Sequence, residues 1–409
     1  MSFDIALSGI QAINESLNST SQNIANAGTY GYKSSRANFS SLVSGDVQTG
    51  VMIGSTTQSI SKQGGVLNTG RALDASISGR GFFIAKNKDS GQVEYTRVGI
   101  FDASKDGFLV DATGRKVQGY PIKTGTTVLG ALGDVPIPTG SIPAVASSNV
   151  DYVGNMSADW TTPTTAWVPA TVAAPPDPST FNMSKASVVY DSLGGKHTLT
   201  QYFGRTSAAA PESVDVHYVL DGVSVGPASA LTFAPLTGQL ATPAAGTIAL
   251  DLTGVAVANG AKLNIVTLDY TGTTGFAGEA TTTANAGDGY AAGTFTGVAL
   301  GTDGSVIASY NNGQKQSVGR LAIATFPDEG SLQAIDGTSW IESVDSGTPL
   351  VNAPGVGMGG SINTSSLEQS NVDITSELVG LMTSQRNYQA NSKVIQTEST
   401  MLQSLMQAI

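Results

Sequence analysis

The sequence predicts a mainly β, multidomain chain with an α-helix of coiled-coil spacing at each end. Two observations carry this prediction. Apolar residues recur about every 3.5 positions near both ends, and at every second position in between. The composition agrees, because Gly accounts for 49 of the 409 residues and only 12% are charged. Such a composition favours β-structure with many turns, or a surface that contacts copies of itself.

The N-terminal helix is predicted from alternating steps of four and three residues, which place an apolar stripe along one face. The stripe consists of Phe3, Leu7, Ile10, Leu17 and Ile24. A helix of about 24 residues would be roughly 36 Å long. Gly28 and Gly31 follow the stripe and are expected to end the helix.

The C-terminal helix is predicted from the same steps, sustained over a longer stretch. Its stripe consists of Ile374, Leu378, Leu381, Tyr388, Ile395, Leu402 and Met406. Residues 372–409 contain no Pro, and Asp373 and Glu377 lie where negative charge suits the start of a helix. These features predict a helix that continues almost to the end of the chain.

Polar residues such as Asn14 and Ser392 interrupt both stripes. A polar residue at such a position usually fixes the register of a coiled coil at a cost in stability. Two interpretations remain open: each helix lies on its own globular domain, or the helices pair and bury their remaining faces against neighbouring subunits. Ordering roughly 60 residues costs about 1–2 kcal/mol each. The second interpretation therefore predicts ends that are disordered in the monomer and fold on polymerisation.

Between the two ends, apolar and polar residues alternate, which predicts mostly antiparallel β-strands. Clear examples are residues 214–220 and 248–252, and turn residues such as Asp221 and Gly222 separate the strands. Composition changes at 133–180 and 281–289 indicate an inserted domain. The predicted organisation is a helical inner domain (1–32 with 364–409), a connecting segment (33–70), a middle β-domain (71–147 with 289–363) and an inserted outer β-domain (148–288).

Charge and composition argue against several classes of protein. The net charge is −11 and the 20 Lys and Arg residues form no cluster, so neither nucleic acid nor an anionic membrane surface is an expected partner. The chain has no Cys, which excludes disulfides and thiolate metal sites. No apolar run reaches the length of a membrane span, and residues 1–32 lack the features of a secretory signal peptide. We therefore expect no membrane insertion, and a chain that either stays in the cytoplasm or is exported without a cleavable signal peptide.

No motif predicts catalysis. The two histidines, His197 and His217, lie in strand patterns without a partner at a metal-binding or catalytic spacing, so both are expected to be exposed strand residues. The glycines at 79 and 81 precede a strand and not a helix, which argues against nucleotide binding. We predict no catalytic, cofactor or metal residues. An enzyme would require carboxylates that converge only in the folded chain.

Several segments, taken in order, resemble the bacterial flagellar rod and hook family. They are residues 21–33 (SQNIANAGTYGYK), 73–83 (LDASISGRGFF), 95–101, 107–121, 367–373 (LEQSNVD) and 384–391 (SQRNYQAN). The signature positions in these segments are Asn23, Asn26, Gly31, Tyr32, Lys33, Gly81, Phe82, Phe83, Arg386 and Asn387. The family often has Pro where this chain has Tyr30, a small departure.

The resemblance implies an axial protein that self-assembles. About 140 residues of β-rich sequence follow the first β-segments, which is similar to the hook members of the family and longer than the rod members. Paired terminal helices would then line a tube inside two β-layers, and the tube would serve as a flexible universal joint that transmits torque from motor to filament. Rod, hook-cap and hook–filament junction proteins are the implied partners. A distal rod or junction subunit remains an alternative, as does a secreted β-rich adhesin or surface-layer protein.

Overall fold

The structure is a computed structural model that describes residues 2–44, 47–123, 128–207, 212–257 and 260–408. Strands hold 42% of the chain and helices 16%, which confirms the predicted mainly β fold with terminal helices. The chain forms two compact units. The first contains Met1–Thr139, Thr296–Ser309 and Lys315–Ile409, and the second contains Gly140–Phe295 and Tyr310–Gln314.

Both terminal helices form where the apolar stripes predict them. Helix α1 covers Ser2–Ala25 and helix α2 covers Ile374–Ala408. Asp373 caps α2, since its Oδ1 accepts a hydrogen bond of 3.0 Å from the backbone N–H of Thr375. After α1 the chain turns at Gly31, which has a φ of 69°, a conformation that Gly adopts without steric cost.

The strands are numbered in chain order. Those of the first stretch are β1 (Ser35–Ser44), β2 (Val47–Gln58), β3 (Val66–Asn68), β4 (Ala75–Ser78), β5 (Phe82–Lys86), β6 (Val93–Thr96), β7 (Phe101–Ala103), β8 (Leu109–Asp111), β9 (Lys116–Pro121) and β10 (Gly133–Asp134). Next come β11 (Ser141–Ile142), β12 (Asn149–Asn155), β13 (Met183–Tyr190), β14 (Lys196–Ser207), β15 (Glu212–Leu220), β16 (Val223–Ser224), β17 (Ser229–Phe233), β18 (Leu240–Thr242), β19 (Thr247–Asp251), β20 (Ile265–Asp269), β21 (Thr281–Gly287) and β22 (Gly293–Leu300). The last are β23 (Ser305–Tyr310), β24 (Lys315–Leu321), β25 (Ile323–Thr325), β26 (Gln333–Ile335), β27 (Ser339–Ile341), β28 (Leu350–Asn352), β29 (Ser361–Thr364) and β30 (Ser366–Glu368).

The first unit is built on one antiparallel sheet with strand order β23-β24-β9-β5-β6-β27-β26. Strands from residues 82–121 lie between strands from residues 305–341 in this sheet, so neither part of the chain completes it alone. Two short pairs, β4 with β29 and β3 with β30, also join an early segment of the chain to a late one. The core holds Phe82, Ile84, Tyr95, Phe326 and Trp340. Edge-to-face aromatic contacts order it, with the Phe82 and Phe326 ring centroids 6.1 Å apart.

The second unit contains two sheets that share one apolar core. One sheet has the antiparallel order β13-β14-β15-β17-β18, and the other has the order β19-β20-β12-β21. Buried side chains from both sheets meet, among them Tyr152, Phe203, Val216 and Leu268. The alternating residues 214–220 and 248–252 lie in or next to β15 and β19. One detail differs from the prediction: β12 and β20 run parallel, because a long connection returns the chain to the same end of the sheet.

A long β-hairpin follows α1 and was not identified from the sequence. Strands β1 and β2 pair from Ser35 with Gln58 to Ser44 with Val47, with two register shifts along the way. The hairpin base is fixed to the sheet of the first unit, since Trp340 Nε1 donates to Gln58 Oε1 over 2.8 Å. Ser, Thr and Gly occupy many positions in β1 and β2, so apolar residues do not recur at every second position and the sequence gives only a weak strand pattern.

Candidate assembly surface

Helices α1 and α2 lie side by side and run antiparallel. Asn23 Nδ2 donates to Glu377 Oε1 over 2.9 Å, and the hydroxyl oxygens of Ser16 and Ser384 are 3.4 Å apart. One step of seven further along, a Cβ added at Gly9 would lie 3.1 Å from Nδ2 of Asn391. Each seven-residue step on α1 therefore matches a seven-residue step on α2, the regular spacing of a coiled-coil contact line.

This contact line does not coincide with the apolar stripes predicted from the sequence. It passes through Gly9, Ser16 and Asn23, whose side chains are small or polar. The stripe residues Ile10, Leu17 and Ile24 each follow a contact position by one residue and are half-buried, and Phe3 and Leu7 are exposed. One residue corresponds to about 100° around a helix, so these stripe residues lie to one side of the contact line.

The stripe on α2 is also largely uncovered. Leu381 and Ile395 are half-buried, and Ile374, Leu378, Tyr388, Leu402 and Met406 are exposed, Met406 at 73%. Five further large apolar side chains of the helix are exposed: Val379, Met382, Val394, Met401 and Leu405. Exposed apolar side chains in this number are typical of a helix surface that binds another protein. The part of the listed stripes in assembly remains a prediction.

The end of α1, the hairpin and the start of α2 meet at the buried amide of Asn23. Its Nδ2 donates to the backbone oxygen of Ser35 over 2.8 Å as well as to Glu377. Its Oδ1 accepts from the backbone N–H of Ser35 over 2.9 Å and from the Tyr32 hydroxyl over 3.3 Å. Partial burial raises the pKa of Tyr32, so the hydroxyl remains a donor. Asn23 therefore joins three elements with one side chain.

Next to it lies a cluster of three buried charges, Lys33, Glu368 and Arg97, which we call the charge hub. Lys33 Nζ donates to Glu368 Oε1 over 2.6 Å, and Arg97 reaches Glu368 Oε2 over 3.3 Å. The three side chains are at most 2% exposed. Burial lowers the pKa of Lys33 and of Arg97, and the Glu368 carboxylate opposes the shift in both cases.

The charge hub is enclosed by backbone hydrogen bonds. Lys33 Nζ also donates to the backbone oxygen of Lys62 over 2.8 Å, and Glu368 Oε1 accepts from the Gly64 N–H over 3.0 Å. Asn371 bridges the same place, because its Oδ1 accepts from the Ser34 N–H over 2.7 Å and its Nδ2 donates to the Lys62 oxygen over 2.9 Å. The hub thus joins the chain leaving α1 to the chain that leads into α2.

The other signature residues serve turns, the core or the exposed helix face. Asn26 accepts from the Thr29 hydroxyl over 3.2 Å in the turn after α1. Gly81 has a φ of 115°, and a Cβ there would lie 2.3 Å from Ile323 Cγ2. Phe82 and Phe83 are fully buried in the sheet of the first unit. Arg386 and Asn387 lie exposed on α2.

Sequence reasoning missed Glu368, Arg97 and Asn371 as members of this arrangement. A signal for one of them exists: Lys33 follows a helix end, and Glu368 is the only acidic residue in 361–371. A buried Lys requires an acidic partner. That the partner lies in the segment before α2 becomes evident only when the two ends of the chain are brought together.

Three parts of the chain match models of known protein families. Residues 76–158 match the flagellar hook protein FlgE/F/G D1 domain, 155–290 the flagellar basal body protein FlaE D2 domain, and 363–408 the flagellar basal body rod FlgEFG protein C-terminal region. The flagellar hook protein FlgE of Brucella suis is 33% identical over 98% of this chain and 96% of the relative. The chain belongs to the flagellar hook protein family.

The FlgE of Salmonella typhimurium is 32% identical over 99% of both chains, so the likeness to the hook family extends over both ends and the middle. A crystal structure of Helicobacter pylori flagellar hook protein FlgE2 shares the fold at a TM-score of 0.50 and 14% identity, covering 73% of this chain and 99% of that one. This member of the hook family is a structural subunit of the polymeric hook of the bacterial flagellum.

Within this hook family member the two histidines differ from the prediction that both are exposed. His197 lies between two carboxylates, with Nδ1 2.6 Å from Asp221 and Nε2 3.2 Å from Asp191, and its side chain is 13% exposed. Burial lowers its pKa, but the hydrogen bonds and charges of Asp221 and Asp191 outweigh burial and leave the pKa raised. His217 stacks on Trp167 with ring centroids 4.3 Å apart, and burial lowers its pKa. The carboxylates come from turns after the strands, which a search for fixed spacings overlooks.

Two further properties concern the described part of this hook family member. Neither α1 nor α2 is long and apolar enough over its described residues to cross a bilayer. Among residues 2–44, 47–123, 128–207, 212–257 and 260–408, no three acidic or imidazole side chains are grouped so as to hold a metal ion.

Proposed function

We propose that this chain polymerises into a tube that acts as a flexible universal joint and transmits torque from the flagellar motor to the filament. The paired helices form the inner layer, residues 71–147 with 289–363 the middle wall and residues 148–288 the outer layer. The observation that supports the proposal is the uncovered apolar face of α2, on which Leu378, Met382 and Leu402 are exposed. The proposed role is mechanical and involves no reaction.

The energy for assembly would come from covering that face. Full burial of one Leu or Met side chain contributes about 1.5–3 kcal/mol. Four such side chains lie within the last turns of α2 alone: Met401, Leu402, Leu405 and Met406. The contact line between α1 and α2 offers little comparable area, since it passes through Gly9 and Ser16. Most of the apolar burial available to the helices therefore requires neighbouring subunits.

We further propose that the ends of this polymer meet the flagellar rod, the hook cap and the hook–filament junction proteins. The subunit would reach its place through the flagellum's own export channel, without a cleavable signal peptide. Membership of the hook family supports both proposals, because a hook lies between rod and filament. Mass spectrometry of hooks isolated from cells tests the second one: the expected N-terminal peptide begins at Met1 or Ser2, and a shortened N-terminus would contradict it.

Electron microscopy of the purified chain at rising concentration in ammonium sulfate tests the polymerisation. Short tubes are expected from the full chain, and none from a chain without residues 1–32 and 366–409. A sharper comparison is Leu402→Gln with Met406→Gln against the control Gln403→Ala with Gln407→Ala on the same turns. If burial of these two side chains contributes about 1.4 kcal/mol less to the free energy of assembly, the critical concentration rises about tenfold. An unchanged critical concentration in the first variant would contradict the proposal.

A further inference from the structure

Helix α2 is longer than its partner, and its last turns extend past the first described residue of α1. Gly9 of α1 lies opposite Asn391 of α2. One further step of seven residues places Ser2, the first residue of α1, opposite Glu398 of α2. Residues 399–408, which we call the overhang, therefore extend past the end of α1 by about 15 Å. The overhang carries no charged residue, and Met401, Leu402, Leu405 and Met406 are all exposed.

A groove of about 710 Å³ lies between the two helices and the β1–β2 hairpin, and we call it the hairpin groove. It is lined by Ile5, Gly9 and Ile13 of α1, Phe39 and Val51 of the hairpin, and Asn391 of α2. Ile5 and Phe39 are exposed at 44% and 48%. A volume of this size holds several large side chains, because pockets of about 300–1,000 Å³ enclose a drug-sized molecule.

We propose that the overhang of one subunit inserts into the hairpin groove of a second copy of this chain. This inference rests on the proposed polymerisation and specifies which surfaces meet. The overhang cannot occupy its own groove, because the groove contacts Asn387 and Asn391 on the same uninterrupted helix and α2 does not fold back. The occupant therefore belongs to another molecule.

A copy of this chain is the proposed occupant because subunits of the polymeric hook contact copies of themselves. Neither the overhang nor any residue lining the hairpin groove is charged, so the contact covers the exposed apolar side chains of the overhang and of Ile5 and Phe39 without desolvating a charge. The two surfaces are different parts of the molecule, so the contact is head-to-tail. Such a contact leaves one free groove and one free overhang at opposite ends of every pair, and repeated contacts build an open chain of subunits.

The absence of Cys from the sequence allows a direct test by disulfide cross-linking. Val51→Cys places a thiol in the groove and Met406→Cys places one in the overhang of a separate, isotopically labelled chain. Mixed tubes of the two are oxidised, and mass spectrometry counts disulfides between labelled and unlabelled chains. The matched control replaces Val51→Cys by Val66→Cys, an exposed Val of β3 in the same unit that does not line the groove.

At least tenfold more mixed disulfide from the Val51 pair than from the Val66 pair is expected. Tubes that form with equal cross-linking in both pairs would overturn the docking inference and leave the proposed polymerisation intact. Failure of the parent chain to form tubes would instead contradict the proposed function. If Val51→Cys alone prevents assembly, Ile13→Cys gives the same readout from the α1 side of the groove.

Discussion

Removing the anion from the charge hub is the most decisive test of how the two chain ends are held together. In Glu368→Gln, Lys33 and Arg97 stay buried and both lose their carboxylate, whose oxygens lie 2.6 and 3.3 Å from them. Breaking a buried ion pair from one side costs about 3–5 kcal/mol, since a charge without a partner remains in a poorly polarisable site. For a unit of this size such a loss lowers the Tm by roughly 6–20 °C.

The assay is urea unfolding followed by the fluorescence of Trp340, which lies buried in the first unit. Trp160→Phe and Trp167→Phe in the background remove the tryptophans of the second unit, so the signal reports on the first unit alone. The matched control is Asp106→Asn, because Asp106 pairs with Lys88 at an exposed site over 3.1 Å. Such pairs contribute about 0–1 kcal/mol. A loss in Glu368→Gln no larger than in this control would refute the reasoning.

Three further outcomes follow from the same geometry. Gly31→Ala is expected to lower the free energy of unfolding in urea more than Gly70→Ala. Both glycines have a φ near 70°, which costs an Ala about 1–2 kcal/mol. Only at Gly31 would the new Cβ also lie 3.0 Å from Val98 Cγ2. Equal losses of unfolding free energy in the two variants would contradict this and show that the Val98 side chain moves aside. Because the folded-state pKa of His197 is raised, its contribution to stability is present at low pH and is lost as pH rises above 6.5 through the folded-state pKa. Thermal unfolding from pH 5 to 9 should show this loss in the parent and not in His197→Gln, and parallel curves would contradict it. In amide hydrogen exchange, α1 and α2 should be unprotected in the monomer and protected in tubes, and protection in both states would contradict coupled folding.

Much of the local structure was accessible from the sequence because its periods are physical requirements. The 3.5-residue spacing predicted α1 and α2, and alternation predicted strands such as β15, since a side chain's face follows directly from the backbone period. The rest depends on contacts between distant residues. Lys33 and Glu368 are 335 positions apart, and nothing local to either one identifies the other.

The helix pair shows a second limit of such reasoning. In the sequence the large apolar residues are conspicuous, and the predicted stripe on α1 therefore contains Leu7, Ile10 and Leu17. The contact line between α1 and α2 inside the chain passes through Gly9, Ser16 and Asn23. Small residues permit close approach and leave no hydrophobic signal. In a subunit whose helices have two kinds of neighbour, the apolar stripe indicates a buried face without telling which neighbour covers it.

The charge hub also determines how a mechanical load would travel through the first unit. The chain leaves α1 and returns into α2 at one place, where β3 pairs with β30 and Lys33 is bound to Glu368. A force that pulls on the helix pair would therefore be shared by two chain segments, the one that leaves α1 and the one that enters α2. Because β3 pairs with β30 and Lys33 with Glu368, extension of one segment is transmitted to the other. Twisting the helices against the β-sheet would strain the hydrogen bonds of the hub, because Lys33, Arg97 and Glu368 lie where the two segments meet.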